Sequence, residues 1–239
     1  VSDTAPKRRW FPDPLTPDAS GLAFVGGELS REALVEAYGR GLFPWRGGAD
    51  VPWYCPDPRG VLRVGALRVS RSLAMRARNG GVSVAFDVDF RGVMQRCANT
   101  ARRHESSTWI TEDIVAAYSA LHDVGIAHAV EVYREGVPIG GLYGLTFGGI
   151  FHGESMYHRA PDGSKLALWA LHEALRVRGF WVIDCQVPSP HLIRLGAERW
   201  PAREYLALLA RNAHRPSAHH DWSTWRVACL PAWTASGRS

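Results

Sequence analysis

Two short stretches place polar groups where a folding chain would otherwise build core. IFHGESMYHRA (150–160) follows the apolar, glycine-rich GGLYGLTFGG and brings in Glu154, while FWVIDCQV (180–187) sets Asp184 and Gln186 two residues apart. Strand alternation on the first stretch puts Ile150, His152, Glu154 and Met156 on one face, and Phe151, Gly153, Ser155 and Tyr157 on the other. On the second, Asp184 and Gln186 share a face with Val182, opposite Ile183, Cys185 and Val187. Burying a carboxylate costs several kcal/mol unless it is paired or hydrogen-bonded, so a fold does not acquire such groups for stability. Two carboxyls and a carboxamide meeting across a sheet therefore mark a site. Its chemistry stays open on pattern alone: acid and base for hydrolysis, a substrate clamp, or a proton path.

Other constellations carry less. Ser155 in GESMY lacks the second glycine of a nucleophile elbow, and His219–His220 sit in a polar tail without a partner pattern. Cys55, Cys97, Cys185 and Cys229 form no CxxC pair, which predicts free thiols and neither zinc nor a disulfide framework. There is no Walker or Rossmann glycine fingerprint.

The elements that must position Glu154, Asp184 and Gln186 follow from periodicity. Pro, Gly and Trp punctuate the first ~65 residues, with one helix after Ser30. Helices are then predicted at SRSLAMRARN, from Asp89 to Asn99, at TEDIVAAYSALHDVG with Thr111 accepting at its cap, and from Ser164 to Arg178. Strands are predicted at VSVAFD, AHAVEVYR, VPIGGLYGLTF, GIFHGESMY and FWVIDCQV, the last beside its predecessor. This order predicts an α+β fold in which helices bury one sheet face. At 239 residues and 46% hydrophobic composition the chain can build a sizeable core. It carries no run near the ~20 apolar residues of a membrane span and no apolar leader in VSDTAPKRRWFPDP, so a soluble, cytosolic protein is expected. The net charge of +5 permits a polyanionic partner; Lys7 and Lys165 are the only lysines, and arginine's planar fork suits phosphate.

Separated motifs in this chain resemble the leucyl/phenylalanyl-tRNA–protein transferases. They include FPDP (11–14), GLAFVGGELS (21–30), AYGRGLFPW (37–45), PDPRGVL (56–62), VSRSL (69–73), TWI (108–110), GGLYG (140–144), GESMY (153–157) and IDCQVPSPHLIRLGA (183–197). They run in the family order over about residues 10–206.

The resemblance implies a small amino-terminal domain (1–65) and a catalytic domain like the GCN5-related N-acetyltransferases (66–239), its mostly antiparallel sheet flanked by helices. It implies an aminoacyltransferase moving Leu or Phe, with Met also tolerated, from aminoacyl-tRNA to the N-terminal Arg or Lys of a protein, marking that protein for degradation by the N-end rule. No cofactor, no metal, a cytoplasmic address and a monomer go with it. Carried over by motif, Asp184, Gln186 and Glu154 become the catalytic and substrate-positioning groups. Trp109, Leu142, Met156, Ser164, Leu171 and Ile183 become the aminoacyl pocket, and Trp45 with Arg71, Arg76 and Arg78 the tRNA contacts. Two competing readings remain. An acyl-CoA acetyltransferase needs a glycine-rich pyrophosphate turn that RAPDGSK does not supply. A non-catalytic RNA-binding module has no use for Glu154, Asp184 and Gln186.

Overall fold

The computed structural model describes residues 11, 14, 17–48, 50–100, 108–212 and 222–225; His219, His220, Cys229 and most of the tail after Arg211 lie outside the described residues. In chain order the elements are β1 (Leu22–Val25), α1 (Arg31–Gly39), β2 (Phe43–Pro44), β3 (Pro52–Tyr54), β4 (Arg59–Arg63), α2 (Arg71–Asn79), β5 (Val82–Phe86), α3 (Phe90–Ala98) and α4 (Glu112–His122). There follow β6 (Ala127–Arg134), β7 (Val137–Phe147), β8 (Ile150–His158), α5 (Gly163–Val177), β9 (Val182–Gln186), α6 (Pro190–Arg194), β10 (Glu198–Trp200) and α7 (Ala202–Asn212).

Four helices begin where a side chain satisfies one of their first amides. Ser30, Ser70, Asp89 and Ser189 each accept from the backbone N–H three residues on, and Pro190 follows its cap at the position where a missing N–H is harmless. The expected cap at Thr111 takes another form: its hydroxyl donates to Asp113, and the Asp113 carboxylate accepts from Ile114 and Gly48.

The expected α+β architecture is present. A seven-stranded sheet runs β10–β4–β9–β8–β7–β6–β5, and a three-stranded sheet runs β1–β3–β2. All large-sheet pairs are antiparallel except β8–β9, which are parallel because the chain returns through α5. Leu142, Phe151 and Ile183 pack with Leu166 and Leu171 of α5 on one face. Tyr143, Leu145 and Tyr157 pack on the other with Val93 and Ile114 of α3 and α4, and with Tyr38 and Trp53 of the amino-terminal segment. That segment thus shares a core with the large sheet. β4 is itself a strand of the large sheet, so the chain leaves the small sheet between Tyr54 and Arg59, ahead of the boundary expected at residue 65.

Two irregularities shape the centre. β7 and β8 slip register between Tyr143↔Ser155 and Gly144↔Gly153, leaving Glu154 as an extra, unpaired residue. Gly144 allows this: a Cβ there would meet the His152 carbonyl oxygen at 2.1 Å. The bulge corrects the simple alternation read from sequence. Beyond it the faces exchange, so Met156 joins Phe151 on the α5 side, whereas Tyr157 packs on the opposite side. The second irregularity is Gln186, whose φ of 58° puts a non-glycine residue in the left-handed region at the end of β9. Such a conformation costs on the order of 1–3 kcal/mol and persists only where neighbours enforce it.

Candidate active site

β8 and β9 pair only as far as His152↔Asp184 and then part. Glu154 and Gln186 stand just beyond the fork. There Gln186 Nε2 donates to Glu154 Oε1 at 2.7 Å, bringing together two of the three polar groups that the sequence singled out.

Asp184 lies one step deeper and is fully buried. Arg59 grips it with a two-pronged contact, Nε to Oδ1 at 2.8 Å and Nη2 to Oδ2 at 2.6 Å, and its third prong, Nη1, donates to the Gly41 carbonyl at 3.0 Å. The guanidinium sits against the rings of Phe43 and Tyr205. Tyr205 donates to Asp184 Oδ2 at 2.9 Å, and His152 Nδ1 lies 3.0 Å from the same oxygen. Burial alone raises a carboxyl pKa, but the Arg59 charge and fork overcome it and hold Asp184 far below the usual carboxylate range. Burial lowers His152, which is therefore neutral and donates through Nδ1. Asp184 Oδ1 also accepts the backbone N–H of Gln186 at 2.9 Å. That bond holds the strained turn which aims the Gln186 side chain at Glu154.

Glu154 is held by two tyrosines that the sequence did not mark as site residues. Tyr38 contacts Oε1 at 2.7 Å, Tyr118 contacts Oε2 at 3.3 Å, and the two hydroxyls lie 2.5 Å apart. Three oxygen–oxygen contacts need three hydrogens, and two hydroxyls supply only two. A protonated Glu154 supplies the third and closes the ring, each member donating once. The electrostatics agree: burial pushes the carboxyl up to about 8, with the Asp184 charge adding to the rise and the tyrosine bonds opposing it. At neutral pH Glu154 is held largely as the neutral acid.

Beside this polar edge opens an apolar cavity of about 120 Å³, walled by Leu142, Phe151, Met156, Leu168, Leu171, Ile183 and Leu192, with Glu154 and Gln186 at its rim. Four expected pocket residues, Leu142, Met156, Leu171 and Ile183, line it. Trp109 and Ser164 stand outside that lining. Trp109 packs half-buried against the α3–α4 core, and Ser164 is buried in the first turn of α5, where Gly163 and Gly140 bring helix and strand backbones into contact. Phe151, Leu168 and Leu192 carry no signal beyond being apolar. Cys185 also lines the cavity, and burial pushes its thiol up to about 12, so it stays protonated and is no nucleophile.

The expected nucleic-acid residues lie on the surface. Trp45 is exposed and leans on Phe43 and Tyr54 with ring centroids 5.8 and 5.0 Å away. Arg71, Arg76 and Arg78 project from α2, where Arg76 is paired with Asp162 at 3.1 Å. Among the described residues no cluster of His, Cys, Asp and Glu is arranged to hold a metal ion, and no helix is long and apolar enough to cross a membrane.

Residues 61–210 match the family model described as leucyl/phenylalanyl-tRNA protein transferase, and residues 27–57 match the model of that family's N-terminal domain. Among relatives, the leucyl/phenylalanyl-tRNA–protein transferase of Myxococcus xanthus is 44% identical over 229 residues, covering 95% of this chain and 97% of its own. The enzyme of the same name from Pseudomonas entomophila is 48% identical over 201 residues, 84% of this chain and 88% of its own. Of solved structures, a GCN5-related N-acetyltransferase from Kribbella flavida aligns over 61% of this chain and 55% of its own, with 18% identity and a TM-score of 0.37.

Proposed function

The chain belongs to the leucyl/phenylalanyl-tRNA protein transferase family, and from that premise we propose how its site moves an aminoacyl group from tRNA to a protein. The Glu154–Gln186 bond at the lip of an apolar cavity carries this reading. The cavity takes the leucine or phenylalanine side chain and presents the ester at its rim. Its lining is mainly apolar, so it separates side chains chiefly by size, at about 1–3 kcal/mol per methylene.

The donor is already an activated ester, and the reaction needs only alignment and a path for one proton. The acceptor α-amine attacks the ester carbonyl, the bond to the ribose oxygen breaks, the nitrogen loses a proton and the ribose oxygen gains one. A free α-amine has a pKa of about 7.7–8.0, so a useful fraction is neutral near pH 7. Gln186 cannot act as a base. With its Nε2 committed to Glu154, its Oε1 is left to accept an amine N–H and orient the lone pair. Asp184 serves as a positioning residue: ionised, encased by Arg59, Tyr205 and His152, it holds the Gln186 turn from behind. Holding two reactants in line contributes on the order of 7 kcal/mol or more to barrier reduction, which matches a site built for alignment.

Glu154 recognises the acceptor. A cationic N-terminal Arg or Lys favours its ionised form, so binding of the correct residue releases the proton that the tyrosine ring retains. Trp45 is the surface for the terminal adenine, where stacking on an aromatic face is worth about 1–3 kcal/mol. The enzyme works as a monomer in the cytoplasm, and its products carry a destabilising N-terminal residue. Incubation with labelled Leu-tRNA and a peptide beginning with Arg tests the reading. Label moves to the peptide; label that remains on tRNA with the wild-type protein ends it.

A further inference from the structure

A second cavity, of about 320 Å³, is not used by the proposed mechanism. Arg68, Lys165, His191 and Arg194 converge on it, together with Ser70 at the start of α2, and no acidic residue lines it. Lys165 is partly offset by Asp162 at 2.7 Å, whereas Arg68 and Arg194 are exposed and make no ion pair among the described residues. His191 feels the crowding: burial first, then the like charges of Lys165, Arg194 and His158, disfavour its protonation. Gathering cations in one concavity works against folding, and field lines focused by such a cleft attract anions.

Both cavities are lined from the same two helices, α5 and α6. In α6, Leu192 lines the aminoacyl cavity while His191 and Arg194 line the basic one. In α5, Leu168 and Leu171 face the first cavity and Lys165 the second. Arg71 and Arg78 extend the positive surface along α2. A ligand with an apolar end in the first cavity and phosphates along its length fits this arrangement. The acceptor, which begins with a cation, is repelled by it.

We infer that the groove formed by Arg68, Lys165, His191 and Arg194 holds backbone phosphates of the aminoacyl-tRNA, close to the strand end that delivers the amino acid. The assignment rests on the transferase reading and adds to it a phosphate site separate from the α2 arginines. Phosphate neutralisation releases counterions, so each lost contact flattens the dependence of log K on log salt by about one unit.

Binding of deacylated tRNA between 50 and 200 mM salt tests the groove. Four proteins are compared: wild type, Arg68→Ala/Arg194→Ala, Arg68→Lys/Arg194→Lys, and Arg176→Ala/Arg203→Ala as a control of equal charge loss. Arg176 lies eleven residues along α5 from Lys165, about 16 Å at the helical rise. The groove alanine pair is expected to bind about tenfold or more weakly at 50 mM, with a slope shallower by about two units. The lysine pair keeps the slope, because a point charge still neutralises phosphate, and the control pair matches wild type. An unchanged slope in the groove alanine pair, equal flattening in the control, or a lysine pair as weak as the alanine pair overturns the assignment. Wild type that binds no tRNA brings down the transferase reading and the groove with it, whereas wild-type binding with an unaffected groove pair removes the groove alone.

Discussion

Arg59→Met tests the buried pair from which the rest of the site is positioned. Methionine keeps the stem between Phe43 and Tyr205 but removes the charge and all three guanidinium bonds. Asp184 is then a buried carboxylate facing only neutral donors: Tyr205, His152 and the Gln186 N–H. Breaking a buried pair by removing one partner costs about 3–5 kcal/mol, equivalent to a drop of about 6–20 °C in Tm for a domain of this size. The pH dependence separates this cause from general loosening. In the wild type the depressed Asp184 contributes stability above its unfolded pKa of about 3.9, lost as pH falls through the folded value. In the variant, burial is no longer outweighed, the folded value rises above the unfolded one, and the contribution becomes a penalty that grows as pH rises. The gap between the two proteins is therefore wide at pH 7 and narrow at pH 4. Adding Asp184→Asn to Arg59→Met regains stability at pH 7, since no buried charge remains. Urea unfolding at both pH values measures all of this. A gap below about 1 kcal/mol at pH 7, or one equal at pH 4, contradicts the assignment of Arg59 as the group that keeps Asp184 ionised.

The same physics gives three further expectations. Glu154 has a folded pKa of about 8, above its unfolded value, so its contribution is favourable in acid and lost as pH rises from about 4 to 8, at about 1.4 kcal/mol per unit. Glu154→Gln removes that limb and weakens transfer to Arg-initiated peptides; parallel stability curves for the two proteins refute the protonated ring. Leu171→Ala enlarges the apolar cavity at a cost of about 2–5 kcal/mol in stability. It should raise kcat/KM for a Phe donor relative to a Leu donor by about tenfold, and an unchanged ratio places the side chain elsewhere. Gly144→Ala drives a Cβ into the His152 carbonyl, which as backbone cannot swing aside. A loss of about 1–3 kcal/mol by thermal melting is expected, together with reduced transfer as β8 shifts around Glu154; a silent substitution contradicts the need for glycine at the bulge.

The regular elements were legible because their signals are local. AHAVEVYR and VPIGGLYGLTF became β6 and β7 with their predicted ends, and Ser30 and Ser70 cap where their hydroxyls allow. The short strands β4 and β10 carry too little periodicity, at three to five residues, to stand out among the surrounding Pro, Gly and Trp. Of the site, Glu154, Asp184 and Gln186 could be named from residue type, and Leu142, Met156, Leu171 and Ile183 of the apolar wall from the resemblance. What holds them in place could not, because each support comes from far along the chain. Arg59 reaches Asp184 across 125 positions, and Tyr38 reaches Glu154 across 116.

The bulge is where local reading and chemistry separate. Perfect alternation would have kept Met156 on the face of His152, away from the cavity on the α5 side. One extra residue lets β8 give His152 to the buried Asp184 network, Glu154 to the tyrosines and Met156 to the apolar cavity within five positions. The charge is thereby kept in the buried Asp184 network, while the proton-bearing Glu154 sits at the rim of the apolar cavity. Each depends on the register slip, so a substitution that heals the bulge should disable recognition of the acceptor and shape of the donor pocket together, even with every polar residue still in the sequence.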